Sequence, residues 1–310
     1  MSAEPIAFPI QSNRLPELRL HAPQDAGRVG IVAGWGEYPM QVAKALRRSN
    51  EGFVIAAVKG HADEALGDYA EAMRWFGVCK LGGMQRFFRR HGVDRVVLAG
   101  KLFKDRILFH GWGWIQHVPD WECVRTMLQP WFSRDSSMTD DSLLGAVVHS
   151  FERQGMQVVS GTQYATELLA EKGVLTDAGP SRAIQADIEF GWKIAKQMGG
   201  LDVGQSISVK DRTVLAVEAV EGTDACIERT GVICPRGRWT LIKVAKPQQD
   251  MRFDLPTIGP RTIERMIAAG GKAIAIEADK TILLDRERTL SLANRHGICI
   301  VSMRDPRPTI

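Results

Sequence analysis

Between residues 218 and 260, acidic and basic side chains alternate with glycines, prolines and threonines. Glu218, Glu221, Gly222, Thr223 and Asp224 come first; Lys243, Lys246, Pro247, Asp250, Arg252, Asp254, Pro256, Gly259 and Pro260 follow. Packing alone does not ask for such a mixture, and propensity makes these stretches loops. A site that holds a divalent cation against phosphate oxygens does ask for it. Hard cations take carboxylate oxygens, while Lys and Arg meet the remaining phosphate charge. Glu218, Glu221 and Asp224 fall at three-residue steps, with Gly222 allowing close approach, which points to a metal or water-activating site. The plainer reading of Thr223 and Asp224 is a helix cap followed by a first-turn acid. Likewise Asp250, Arg252 and Asp254 read either as positioned chemistry beside Lys243 and Lys246 or as a local ion-pair network.

A second group of candidates lies nearer the N-terminus. Gly34-Trp35-Gly36 follows the apolar run Val29 to Ala33 and precedes a proline-opened helix, so its backbone N–H groups are expected to face an anion. The dinucleotide fingerprint would need glycine where Pro39 stands and an acid near Lys59, so a nicotinamide cofactor is not expected. Gly100 and Lys101 close another apolar strand at 95–99, at the end of the sheet where open α/β folds bind ligands; Lys104 and Arg106 follow. Trp112, Trp114, Trp121 and Trp131 crowd one short reach with Phe109 and Phe132. That stretch suits either a lipid-facing groove or aromatics packed on the domain surface. No zinc-ligand spacing and no nucleophile elbow occurs.

The elements that must position these residues read as two domains. Strands at 29–33, 53–58, 95–99 and 156–159 alternate with helices at 39–48, 84–91 and 140–153, predicting a parallel, doubly wound, Rossmann-like sheet over residues 28–162. Residues 163–303 form a second, mixed α/β domain, with the substrate cleft between the two. Its predicted helices cover 163–172, 181–198, 223–230, 260–269 and 286–296. A hairpin of 205–210 and 213–218 turns at Asp211-Arg212, and strands lie at 239–244, 272–276, 281–284 and 298–302. Residues 1–27 and 304–310 read as tails.

Composition fits a soluble globular protein: 310 residues, 45% apolar, 25% charged, net charge +4. The length argues for two domains, and the mild charge suits an anionic substrate or an anionic leaflet without a nucleic-acid arm. Five cysteines at irregular spacing, without an apolar leader, read as reduced thiols in the cytoplasm. No uncharged stretch approaches the roughly 20 residues that span a bilayer, so membrane contact is expected to be peripheral.

Taken together, Glu221-Gly-Thr-Asp224, the whole run from Lys243 to Pro260, Leu201-Asp-Val-Gly-Gln205 and Gly30 to Gly36 resemble the LpxI-type UDP-2,3-diacylglucosamine pyrophosphatases of lipid A synthesis. The likeness runs from about Arg28 to Met303. It implies a Mg2+-dependent hydrolase that splits UDP-2,3-diacylglucosamine into UMP and 2,3-diacylglucosamine 1-phosphate, with water entering at the sugar-side phosphorus. It further implies a cytoplasmic protein in peripheral contact with the inner membrane, and leaves a homodimer open. By position the family's catalytic aspartate falls on Asp250, with Asp254 and Asp224 as neighbouring candidates and Asp224 and Asp250 as metal ligands. Gly34, Gly36, Gly100, Lys101, Gly222, Thr223, Lys243, Lys246 and Arg252 are the expected substrate contacts. The alternative is a non-catalytic nucleotide-sugar or lipid-binding protein on the same scaffold, which would not need Asp224 and Asp250 together.

Overall fold

The computed structural model describes residues 27–102, 118–132 and 140–305. The tails before residue 27 and after 305, Lys104, Arg106, Phe109, Trp112 and Trp114 lie outside the described residues.

Among them, the N-terminal half is a five-stranded parallel sheet in the order β3-β2-β1-β4-β5. Its strands are β1 (Arg28–Ala33), β2 (Phe53–Val58), β3 (Ala72–Phe76), β4 (Val93–Ala99) and β5 (Gln157–Val159). Its helices are α1 (Tyr38–Arg48), α2 (Leu81–Arg90), α3 (Trp121–Phe132) and α4 (Asp140–Glu152). Both faces are covered, which is why the central strands are apolar throughout instead of alternating. In β2, Val54, Ala56 and Val58 join Phe87, Phe88 and Phe151 on one face, while Phe53, Ile55 and Ala57 join Val42 and Leu46 on the other.

The C-terminal half carries a mixed six-stranded sheet in the order β6-β13-β11-β9-β7-β8. Here β6 is Gly173–Val174, β7 Ser206–Lys210, β8 Thr213–Val217, β9 Trp239–Lys243, β11 Gly271–Glu277 and β13 Cys299–Met303. A short parallel pair, β10 (Thr257–Ile258) and β12 (Ile282–Leu283), stands apart from it. Helix α5 (Arg182–Gly200) packs on one face through Ile188, Trp192 and Ala195, and opens with the Ser181 hydroxyl accepting from the Ile184 amide. On the other face lie α6 (Gly222–Ile233), α7 (Pro260–Ala268) and α8 (Arg286–Arg295), through Ile227, Ile263, Met266 and Ala293. The predicted β7–β8 hairpin forms: Asp211 and Arg212 take φ of 49° and 56°, as a two-residue primed turn requires. The Asp187 carboxylate accepts from both their amides.

Four differences from the sequence reading have physical reasons. The stretch predicted as a helix over 163–172 is two single 3-10 turns, Gly161–Gln163 and Thr166–Leu168. Its apolar residues serve the junction between halves: Ala165 and Leu168 pack with Ala45 of α1 and Ile282 of β12, and Leu169 bridges Ile282. Strand β3 escaped notice because, as an edge strand, it buries fully only Phe76. Helix α2 begins three residues before the predicted start because its early glycines are used: Gly83 donates to the Asp120 carboxylate at 2.9 Å, and Gly82 packs against Asp120 and Glu122. Lastly, the two-residue strands β6 and β10 are too short to show a period.

Candidate active site

Because the N-terminal sheet is parallel, the turns after β1 and β4 share its carboxyl edge. The Gly34 amide donates to the Ala99 carbonyl at 2.7 Å, and Trp35 and Lys101 exchange backbone bonds of 2.8 and 2.9 Å. The glycines permit this approach: a Cβ on Gly34 would sit 2.7 Å from the Lys101 carbonyl oxygen, and one on Gly100, at φ +92°, 2.8 Å from Gly34. Two amides expected to face an anion, those of Gly34 and Trp35, are thus engaged within the turns. What the pairing achieves is to set Lys101 and Trp35 opposite each other at this edge of the sheet. Beside them Gly36, Met40, Lys44, Asp63 and, from the other half, Asp285 line a cavity of about 480 Å³.

The C-terminal contribution centres on Lys243. Strand periodicity puts Trp239, Leu241 and Lys243 on one face, the face covered by α6. The side chain is buried, and its ammonium donates to Thr223 Oγ1 at 2.9 Å; Thr223 in turn donates to Glu218 Oε1 at 2.9 Å. Glu218, at the exit of β8, is buried, and its Oε2 has no hydrogen-bond partner among the described residues. Burial pushes the Lys243 ammonium below the ordinary lysine range; Glu218, Asp224 and Asp254 oppose that shift and Lys101 adds to it. Lys101, Asp224, Asp254 and Glu218 therefore all lie within electrostatic reach of Lys243.

Asp224 stands in the first turn of α6 beside Thr223. Arg265 Nε meets its carboxylate at 3.1 Å and Arg261 at 3.6 Å, and the Arg261 guanidinium lies 5.1 Å from the centre of the Trp35 ring. A continuous line of contacts thus runs from the turn after β1 to Asp224. Glu221 belongs to the turn's own structure: it accepts from the Ala219 amide and pairs with Arg229 at 2.7 Å.

The loop after β9 is self-braced. Asp250 accepts from the Arg252 amide at 3.0 Å and from its guanidinium at 2.7 to 3.1 Å, and this arginine holds the carboxyl below its usual range. Arg252 also reaches Glu152 of α4 at 2.8 Å, and Phe253 packs on the N-terminal core. Gln249 donates to Asp254 at 2.6 Å, and Lys246 pairs with Asp202 at 2.6 Å. The structure thus gathers Lys101, Thr223, Asp224, Lys243 and Asp254, and sets Asp250 and Arg252 as a pair joining the loop to the other half. Arg261 and Arg265 were absent from the predicted contacts. The i, i+4 spacing of the two arginines on a helix directly after Gly259-Pro260 was a usable signal.

Behind the loop, Glu277 is buried at 1% exposure. It accepts from Lys196 at 3.0 Å and from the Ala245 amide at 2.9 Å, while Lys196 also holds the Ala245 carbonyl at 3.1 Å. This clamp fixes how the chain leaves β9 after Lys243. Without Glu277, Lys196 keeps Asp305 at 3.3 Å, but the buried Ala245 amide loses its acceptor. Glu277→Ala should therefore lose about 1–3 kcal/mol in urea unfolding, more than Lys246→Ala, whose partner Asp202 is partly exposed.

Fold and site together define a two-domain α/β protein whose halves present cations and carboxylates to a shared cleft. The LpxI N-terminal domain model matches residues 28–168 and the LpxI C-terminal domain model residues 171–301, and the chain belongs to the LpxI family. It is similar to the UDP-2,3-diacylglucosamine pyrophosphatase LpxI of Caulobacter vibrioides, 30% identical over 287 residues that cover 90% of this chain and 98% of that protein.

Proposed function

We propose that this chain hydrolyses the pyrophosphate of UDP-2,3-diacylglucosamine, releasing UMP and 2,3-diacylglucosamine 1-phosphate for lipid A synthesis. The observation that carries the reading is that Lys101 from one half and Asp224 and Asp254 from the other all act electrostatically on the buried Lys243. Two ammonium groups within electrostatic reach of each other suit a diphosphate, and a nearby carboxylate suits the water that attacks it. A water oxygen bonds to the sugar-side phosphorus, the bridging P–O bond breaks toward UMP, and a carboxylate takes the water proton. Phosphoryl transfer of this kind is chiefly positioning and charge stabilisation.

Among the described residues, no three His, Cys, Asp or Glu side chains stand together as a metal-binding group. Mg2+ in its usual mode needs only one or two carboxylates, with phosphate and water completing the shell. We place it on Asp224 with Asp254, the two aspartates that act on Lys243. When bound, the ion would draw charge from the phosphate oxygens. A substrate with two acyl chains resides in a bilayer, so we place the protein in the cytoplasm, in peripheral contact with the inner membrane. Among the described residues, no helix is long and apolar enough to cross one.

The test is UMP release from UDP-2,3-diacylglucosamine by the purified protein with Mg2+, after chelation, and after Mg2+ is restored. Release that disappears and returns is expected. Substrate binding without UMP in any arm would overturn hydrolysis in favour of a binding protein.

A further inference from the structure

We propose that Cys79 and Cys123 form a peroxide-oxidisable dithiol, in which Cys79 reacts first and Cys123 closes a reversible disulfide. The two residues lie far apart in sequence, Cys79 between β3 and α2 and Cys123 in the first turn of α3. Asp120 joins them. Its amide donates to the Cys79 carbonyl at 3.1 Å, and its carboxylate accepts from the Cys123 amide at 3.0 Å and from the Gly83 amide at 2.9 Å. Held in this way, the two cysteines pack into the same apolar cluster, both as free thiols.

Their surroundings differ as attacking and resolving thiols should. Cys79 is partly exposed, and Cys123 is buried at 4% exposure. The neighbouring Cys123 thiol lowers Cys79 below the ordinary thiol range, with Lys80 assisting and burial and Asp120 opposing; the same neighbour, with burial, raises Cys123. Cys226 and Cys299 are buried, and Cys234 is partly exposed beside the Lys210 ammonium and the Gly237 carbonyl.

The chemistry balances. The Cys79 thiolate attacks one oxygen of hydrogen peroxide, the O–O bond breaks, and hydroxide leaves behind a sulfenic acid. The Cys123 sulfur then attacks Cys79, the S–S bond forms, and the S–O bond breaks, the departing hydroxide taking the Cys123 proton as water. Two thiols are oxidised and one peroxide is reduced. The position also matters for the cleft: Phe253 of the loop after β9 packs on the same apolar cluster that holds both cysteines, so the cross-link would form in the surface on which that loop is seated.

The experiment uses the reduced full-length protein. Iodoacetamide labelling of Cys79, read by peptide mass, should reach half its maximum at a pH below that of free cysteine, and at neutral pH should outpace labelling of Cys234. Hydrogen peroxide should yield a Cys79–Cys123 linked peptide that dithiothreitol removes. In Cys123→Ser, Cys79 should instead accumulate as a sulfenic acid trapped by dimedone, and in Cys79→Ser peroxide should leave Cys123 unmodified. If the serine variants do not fold, the linked peptide in the unaltered protein decides alone. Peroxide treatment that modifies Cys79 no faster than Cys234, or that yields no Cys79–Cys123 peptide, overturns the proposal.

Discussion

Asp224→Asn should abolish most turnover, lowering kcat by roughly 10²–10⁴-fold, while substrate binding measured by calorimetry changes little. Asparagine keeps the size of aspartate and an acceptor for Arg265 and Arg261, so the line of contacts to Trp35 survives. What it loses is the negative charge that orients water or a cation and receives a proton, an interaction worth most in the transition state. Asp250→Asn is the informative contrast. The Asp250 oxygens already accept from the Arg252 amide and guanidinium, so its loss should loosen the loop and raise KM while leaving most of kcat. If instead Asp250→Asn removed turnover and Asp224→Asn did not, the water-orienting role would belong to Asp250, and the Arg252 pair would have to open during catalysis.

That contrast also shows what a sequence can and cannot disclose about this protein. Continuous apolar runs such as Phe53–Val58 announce a strand buried on both faces, because burial on both sides is the usual reason for six apolar residues in a row. The hairpin at Asp211-Arg212 was legible from turn residues between two apolar runs. Strand β3 was not, since Arg74 and Met73 on an edge carry no period. In the site, residue types were legible and pairings were not. Nothing in the order Asp250-Met251-Arg252 says whether the arginine waits for phosphate or closes on its neighbour; in the structure it bonds Asp250 and Glu152. Glu218 and Lys243 lie 25 positions apart, yet share Thr223 because α6 folds back over the strand that carries the lysine. Only the sheet order, with β7 between β8 and β9, puts them together.

Lys243→Met should lower kcat/KM on the order of 10²–10³-fold, and the way it does so separates a charge partner from a structural lysine. Burial lowers the affinity of the free protein's Lys243 for its proton, so its ammonium is lost as pH rises through a value below that of an ordinary lysine. The alkaline limb of kcat/KM, which reports the free enzyme, should therefore fall at lower pH than an exposed lysine would give. Bound phosphate holds the proton more tightly, so the limb in kcat should lie higher. Methionine matches the length of lysine but leaves the buried Glu218 carboxylate without its neighbouring cation, and stability should drop as well. Adding Glu218→Gln removes that stranded charge. The double variant should regain stability without regaining activity, and the alkaline limb should be absent from both variants. Recovery of activity along with stability would mean that Lys243 only holds α6 against the sheet, and that the phosphate charge is met elsewhere.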